Sequence, residues 1–110
     1  MMETTLKILS ESNRLRIVQV LIERPHAVGE IVDDLELSQS LVSKHLHALS
    51  KAGLVEVQAV AQRRVYKLRA KPFQEIDEWL QSFRRLWENR FDRLDEVLAE
   101  EKKKMAVRKN

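Results

Sequence analysis

Ser38-Gln39-Ser40-Leu41-Val42-Ser43-Lys44-His45-Leu46-His47-Ala48-Leu49-Ser50-Lys51-Ala52-Gly53 is the stretch that decides the fold. Ser38 offers a short side-chain oxygen to the free amides of a first helical turn. Val42, Leu46 and Leu49 follow at steps of four and three, the spacing by which a helix faces a core. Gly53 stands where a helix needs a left-handed residue to stop. With that stripe turned inward, the opposite face carries Ser40, Lys44, His47 and Lys51, with Gln39 and Ser43 beside them. The face holds fixed positive charge and no acid.

The neighbouring segments follow from the same kind of periodicity. Upstream, Val28, Ile31, Val32 and Leu35 form a short apolar face, which predicts a helix over about Ala27–Glu36 and a tight turn around Leu37. Before that, Ser12 reads as the N-cap of a helix carrying Leu15, Val18, Leu21 and Ile22, which Pro25 ends; Thr4–Leu9 predicts a short first helix. Downstream, Val55, Val57 and Ala59 alternate with Glu56 and Gln58, and Tyr66 and Leu68 with Lys67 and Arg69, as in the two strands of a hairpin. The stretch Ala61–Arg63 between them contains no Gly, Asn or Asp, so a looser tip is expected than a two-residue turn.

Pro72 suits the first turn of a last helix. Phe73, Ile76, Trp79, Leu80, Phe83, Leu86, Trp87, Phe91, Leu94, Val97 and Leu98 mark its apolar stripe. From Phe73 to Glu101 it would be roughly 43 Å long, whereas a domain of this size has a radius of gyration of about 13 Å. Its own chain cannot cover so long a stripe, and exposed aromatic patches mark interaction sites. The stripe, with Trp79, Phe83, Trp87, Phe91 and Leu94 at its centre, is therefore expected to pair with a second copy in a homodimer. An effector pocket for an unidentified small molecule, lined by the same aromatics, is the alternative use of that surface; dimer core is the better fit.

The expected fold is mainly α with a small β-hairpin: a winged helix-turn-helix with a long C-terminal dimerisation helix. Residues 1–101 form the domain, and 102–110 are a basic tail expected to lack fixed structure. Charge is distributed by segment. Residues 1–37 carry four basic and seven acidic side chains, a net of −3; residues 38–72 carry seven and one, a net of +6. Residues 73–101 carry four and nine, a net of −5, and the tail from Lys102 has five basic and no acidic side chains. A basic middle third between acidic flanks points to one face that meets a polyanion. The chain has no cysteine, which removes disulfides and thiolate metal sites. No apolar run approaches the ~20 residues of a membrane span, and the N-terminus does not read as a secretory leader. A cytoplasmic location without membrane attachment is expected.

Two short helices meeting at a tight turn, the second with a polar, basic outer face, make the layout of a helix-turn-helix, whose second helix lies in the DNA major groove. Gln pairs with adenine, Lys reaches guanine or phosphate, and Ser tolerates several bases. Gln39, Ser40, Ser43, Lys44 and His47 are the candidate contacts to double-stranded DNA, joined by Arg63 and Arg64 at the hairpin tip, which suit the backbone or the minor groove. Lys67 and Arg69 fit the solvent face of an amphipathic strand better. His45 and His47 point about 200° apart on their helix and cannot share a metal ion; His26 has no second ligand nearby, and no metal is expected. The carboxylates from Glu88 to Glu101 fit a solvated face paired with Arg84, Arg85, Arg90 and Arg93 better than a cation site. Gly29, inside a predicted helix, suggests close helix packing. No nucleophile motif, acid–base pair or phosphate-binding glycine loop is present, so neither an enzyme nor a cofactor is expected. The competing function is a protein-interaction module that uses the winged fold as a scaffold and the aromatic helix as its working surface.

Ser38-Gln39-Ser40-Leu41-Val42-Ser43-Lys44-His45-Leu46, Leu49, Ala52-Gly53-Leu54-Val55 and Arg63-Arg64-Val65-Tyr66, with Asn13-Arg14-Leu15-Arg16 ahead of them, resemble the ArsR-type winged helix-turn-helix repressors over about Leu6 to Leu98. The resemblance implies a dimer built from the first and last helices, which adds Leu6 and Leu9 to the interface. It implies DNA contact from Gln39, Ser40, Ser43, Lys44 and the wing, and repression relieved by an effector. The sequence departs from the metal-sensing members. Val28-Gly29-Glu30-Ile31-Val32-Asp33-Asp34 offers no thiol, the last helix has no His, and the wing tip lacks Gly.

Overall fold

In the computed structural model the backbone of residues 2–108 is described, with the side chains of 90–92 and 106–108 outside the description. The elements are α1 (Met2–Leu9), α2 (Ser12–Glu23), β1 (His26–Ala27), α3 (Val28–Leu35), α4 (Gln39–Lys51), β2 (Val55–Val60), β3 (Arg63–Leu68) and α5 (Ala70–Arg108). The three strands form one antiparallel sheet in the order β1-β3-β2. The chain divides into two units, residues 1–75 and 76–110.

The first unit is built around Ile17, Val18 and Leu21 of α2, Ile31 of α3, and Val42, Leu46 and Leu49 of α4, closed by Leu54 and Val55. Ile31, Val42, Leu46 and Leu49 are fully buried, as their helical spacing requires. Tyr66 and Leu68 from the hairpin and Phe73 from the start of α5 pack against this core. On α2 the buried face is turned from the expected one. Ile17 replaces Leu15, and Leu15 and Ile22 are exposed. Apolar residues surround much of that helix, so periodicity alone does not choose the face.

Helix ends follow local chemistry. The hydroxyl of Ser38 accepts from the Leu41 amide at 3.2 Å, as expected of an N-cap. The cap of α2 falls one residue earlier than expected: the Glu11 carboxylate, not Ser12, accepts from the Arg14 amide at 3.1 Å. At α3 the N-cap Ala27 has no side-chain acceptor, so half a capping box forms, with the Ala27 amide donating to Glu30 Oε1 at 3.1 Å. Helix α4 closes in a Schellman arrangement. Gly53, at φ 79°, donates to the Ser50 carbonyl at 3.0 Å, and Leu54 to the Leu49 carbonyl at 2.9 Å.

Four further features differ from expectation. The hairpin does turn through two residues, since Val60 pairs with Arg63, and Ala61 adopts φ 56° without being glycine. The two-residue strand β1 is too short to carry a period and has no sequence signature. A Cβ at Gly29 would meet no atom within 4 Å, so close helix packing does not explain that glycine. In the second unit α5 does not end at Glu101 but continues to Arg108; residues 102–108, expected to lack structure, are helical. Lys102, Lys103 and Lys104 are good helix formers and sit at the end of the dipole that favours cations.

Glu36 caps α3 in the left-handed region at φ 55°, a conformation that costs a Cβ-bearing residue roughly 1–2 kcal/mol. Glu36→Gly is expected to raise the stability to urea by about 1 kcal/mol, while Leu46→Ala, which empties a fully buried site, lowers it by roughly 2–5 kcal/mol. Acid should loosen the first unit. Glu11 titrates below its usual value: partial burial raises it, but the Asn13 and Arg14 amides, His45 and Arg14 outweigh that effect. Glu30 is lowered by the Ala27 amide and by Arg24 and Arg63. Both therefore favour the fold above the ordinary carboxylate value near 4.5, and that contribution is lost as pH falls through their lowered values. In denaturation between about pH 3 and 6, Glu11→Gln and Glu30→Gln should each flatten the decline; an unchanged pH profile would refute the assignment.

Candidate nucleic-acid interface

The fold presents α4 as expected. With Val42, Leu46 and Leu49 buried, Gln39, Ser40, Ser43, Lys44, His47 and Lys51 are all exposed. Helical geometry leaves the first amides of α4 at its free end. Ser38 takes that of Leu41, and those of Gln39 and Ser40 remain as donors to an anion. Gln39–Lys51 contains no Asp or Glu, so nothing on this helix repels phosphate.

A cluster that the sequence did not announce fixes the helix from behind. His45, 6% exposed, receives the Arg14 Nε–H on Nδ1 at 3.2 Å, so the ring proton belongs on Nε2. That nitrogen lies 3.4 Å from Glu11 Oε2. Glu11 thus caps α2 and faces a ring borne by α4, and the orientation of the two helices is tied to one carboxylate. Arg16 reaches the Leu35 carbonyl at 3.1 Å and Asn13 Oδ1 at 3.4 Å, which fastens α2 to the end of α3 just before the turn. The Glu11, Arg14 and Arg16 spacing was the available signal, but their partners lie 19 to 34 residues away in the chain.

The two wing arginines differ. Arg64 is exposed and makes no ion pair among the described residues. Arg63 donates to Glu30 Oε1 at 3.2 Å, and Arg24 lies 2.8 Å from Glu30 Oε2. Lys67 pairs with Glu56 across the register at 3.3 Å, the solvent-face arrangement expected of it. His26 is buried with Nδ1 2.7 Å from the Arg24 carbonyl and Nε2 3.5 Å from Asp34. Among the described residues no group of three His, Asp or Glu side chains could hold a metal ion, and no helix is long and apolar enough to cross a membrane.

Of the expected dimer residues, Leu6 is 39% exposed on α1, whereas Leu9 packs against the core. In the second unit Trp79, Trp87 and Leu94 are 40%, 53% and 51% exposed. Trp79 and Phe83 meet edge to face with ring centroids 4.8 Å apart. The Phe91 side chain lies outside the described residues.

Comparison with known proteins agrees with this architecture. The family model described as "Bacterial regulatory protein, arsR family" matches residues 11–57. The transcriptional activator HlyU of Vibrio cholerae is 41% identical over 63 residues, 57% of this chain and 58% of HlyU, so the alignment spans little more than half of that relative. The structure of HlyU from Vibrio cholerae superposes with a TM-score of 0.62 at 35% identity, covering 73% of this chain and 87% of HlyU. The transcriptional repressor BigR from Xylella fastidiosa superposes with a TM-score of 0.61 at 30% identity, covering 74% of this chain and 84% of BigR. The chain belongs to the ArsR family of bacterial regulatory proteins.

Proposed function

We propose that this protein is a sequence-specific DNA-binding transcriptional regulator that acts in the cytoplasm as a homodimer and represses transcription, its own included, from an inverted-repeat operator. The observation that carries this reading is the exposed, acid-free face of α4, with its hydrogen-bonding side chains and two lysines, mounted on a fully buried stripe. Gln39, Ser40 and Ser43 choose bases; Lys44, His47 and Arg64 hold the backbone. One chain has one such helix, and two must enter major grooves about 34 Å apart, so the active species contains two copies. The exposed apolar side chains Trp79, Trp87 and Leu94 support pairing through α5. An effector would act at that same surface. HlyU is named an activator and BigR a repressor. Repression is preferred here because a dimer bound over a promoter excludes polymerase without any further contact.

Purified full-length protein should bind the DNA just upstream of its own gene in the presence of random competitor, and more weakly as salt rises. Binding that competitor abolishes would count against a specific site there. Gln39→Ala should weaken operator binding by about tenfold, from the ~1–3 kcal/mol of a base contact, while leaving affinity for random DNA unchanged. Equal losses on both would remove Gln39 from base choice. Trp87→Asp should shift the protein from dimer to monomer in sedimentation; an unshifted dimer would place the interface elsewhere. A reporter behind the upstream region should rise when the gene is deleted, and a fall would make the protein an activator.

A further inference from the structure

We infer that Arg63 serves DNA binding as a positioning residue rather than a contact: its pair with Glu30 docks the tip end of the wing on the start of α3 and so presets where Arg64 stands relative to α4. This rests on the DNA-binding function proposed above.

Strand β1 pairs His26 with Tyr66 and Ala27 with Val65, and there it ends. At Val28 the backbone leaves the sheet to enter α3. Beyond Val65, Arg63 and Arg64 have only β2 as a strand neighbour, and a two-stranded ribbon alone twists freely. In the continued register Arg63 would face Gly29. The Glu30 side chain occupies that place instead, its Oε1 taking the Arg63 guanidinium at 3.2 Å. A cleft of about 280 Å³ lined by Ala27, Val28, Gly29, Arg63 and Arg64 lies between helix and ribbon. Arg63 thus borders an open gap, with its guanidinium paired to Glu30 at the start of α3.

An isolated exposed ion pair is weak because it must order two long side chains. Here the Glu30 carboxylate is already held by the Ala27 amide at 3.1 Å and by Arg24 at 2.8 Å, so only Arg63 has to be ordered. Adjacent residues on a strand point to opposite faces, so Arg63 and Arg64 leave the ribbon on different sides, and holding Arg63 fixes the ribbon that carries Arg64.

Wild type, Glu30→Gln, Arg63→Gln, the double variant and Arg64→Gln decide the matter in two measurements on the full chain. One oxygen of Glu30, Oε1, takes both the Ala27 amide and Arg63; Gln at position 30 keeps such an oxygen, so α3 should still start there, and what it removes is the charge that attracts Arg63 and Arg24. In the free proteins, amide hydrogen exchange over residues 58–65 should quicken about three- to fivefold in each of the first two variants, no further in the double, and not at all in Arg64→Gln. Unchanged exchange in Glu30→Gln and Arg63→Gln overturns the docking. On a random-sequence duplex, Arg64→Gln should flatten the slope of log affinity against log salt by about one. Arg63→Gln and Glu30→Gln should each weaken binding by about three- to fivefold with the slope unchanged. If Arg63→Gln flattens the slope and Glu30→Gln tightens binding, Arg63 is a phosphate contact and the inference fails. If the wild type does not bind the duplex at low salt, the DNA-binding function fails instead, and exchange in the free proteins still decides whether Glu30 docks the wing.

Discussion

The left-handed turn at Gly53 sets the relation between the helix that faces outward and the hairpin beside it. Gly53 lets the backbone reverse directly after α4, and Leu54, the next residue, enters the core with Leu49. The Leu54 carbonyl then accepts from the Arg69 amide at 2.9 Å, which closes the base of the hairpin. One turn thus ends α4, seals the core beneath it and anchors both strands of the wing. A Cβ at position 53 would stand 3.5 Å from the Arg69 guanidinium, an ordinary contact. The demand for glycine comes from φ, not from space.

Around that turn, charge is used for two separate purposes. Three acids of the first unit meet structural partners: Glu11 faces Arg14 and His45, Glu30 faces Arg24 and Arg63, and Asp34 lies near His26. The exposed face of α4 is left with cations and neutral polar groups. The negative balance of residues 1–37 and the positive balance of residues 38–72 therefore do not simply cancel, because Glu11 and Glu30 hold helices and wing in place while the exposed cations of α4 lie elsewhere.

What the sequence disclosed was whatever short-range periodicity and single-residue chemistry control. The stripe of Val42, Leu46 and Leu49, the Ser38 cap, the Gly53 stop and the exposed face of α4 all depend on residues within one or two turns of each other. What it withheld depends on partners far away in the chain. The brace from Glu30 to Arg63 crosses 33 positions, and β1 exists only because β3 lies beside it. The rotation of α2 that buries Ile17 and exposes Leu15 is set by the neighbouring helices, not by α2 itself. At the wing tip Ala61 accepts a backbone state usually left to glycine, since the pairing of Val60 with Arg63 enforces it. Continuation of α5 past Glu101 was hidden because a run of lysines reads equally as a solvated tail and as a helix end.

The strand order β1-β3-β2 leaves β2 with an outer edge that no described strand covers. Val57 and Val60 on that strand are 46% and 54% exposed, and Glu56 is its sole charged residue. Such an edge can template addition of strands from other molecules. The wing therefore brings a colloidal liability with it: a segment kept open enough to approach a partner is also the segment by which concentrated protein would stack edge to edge, and the one charge on β2, Glu56, is already paired with Lys67.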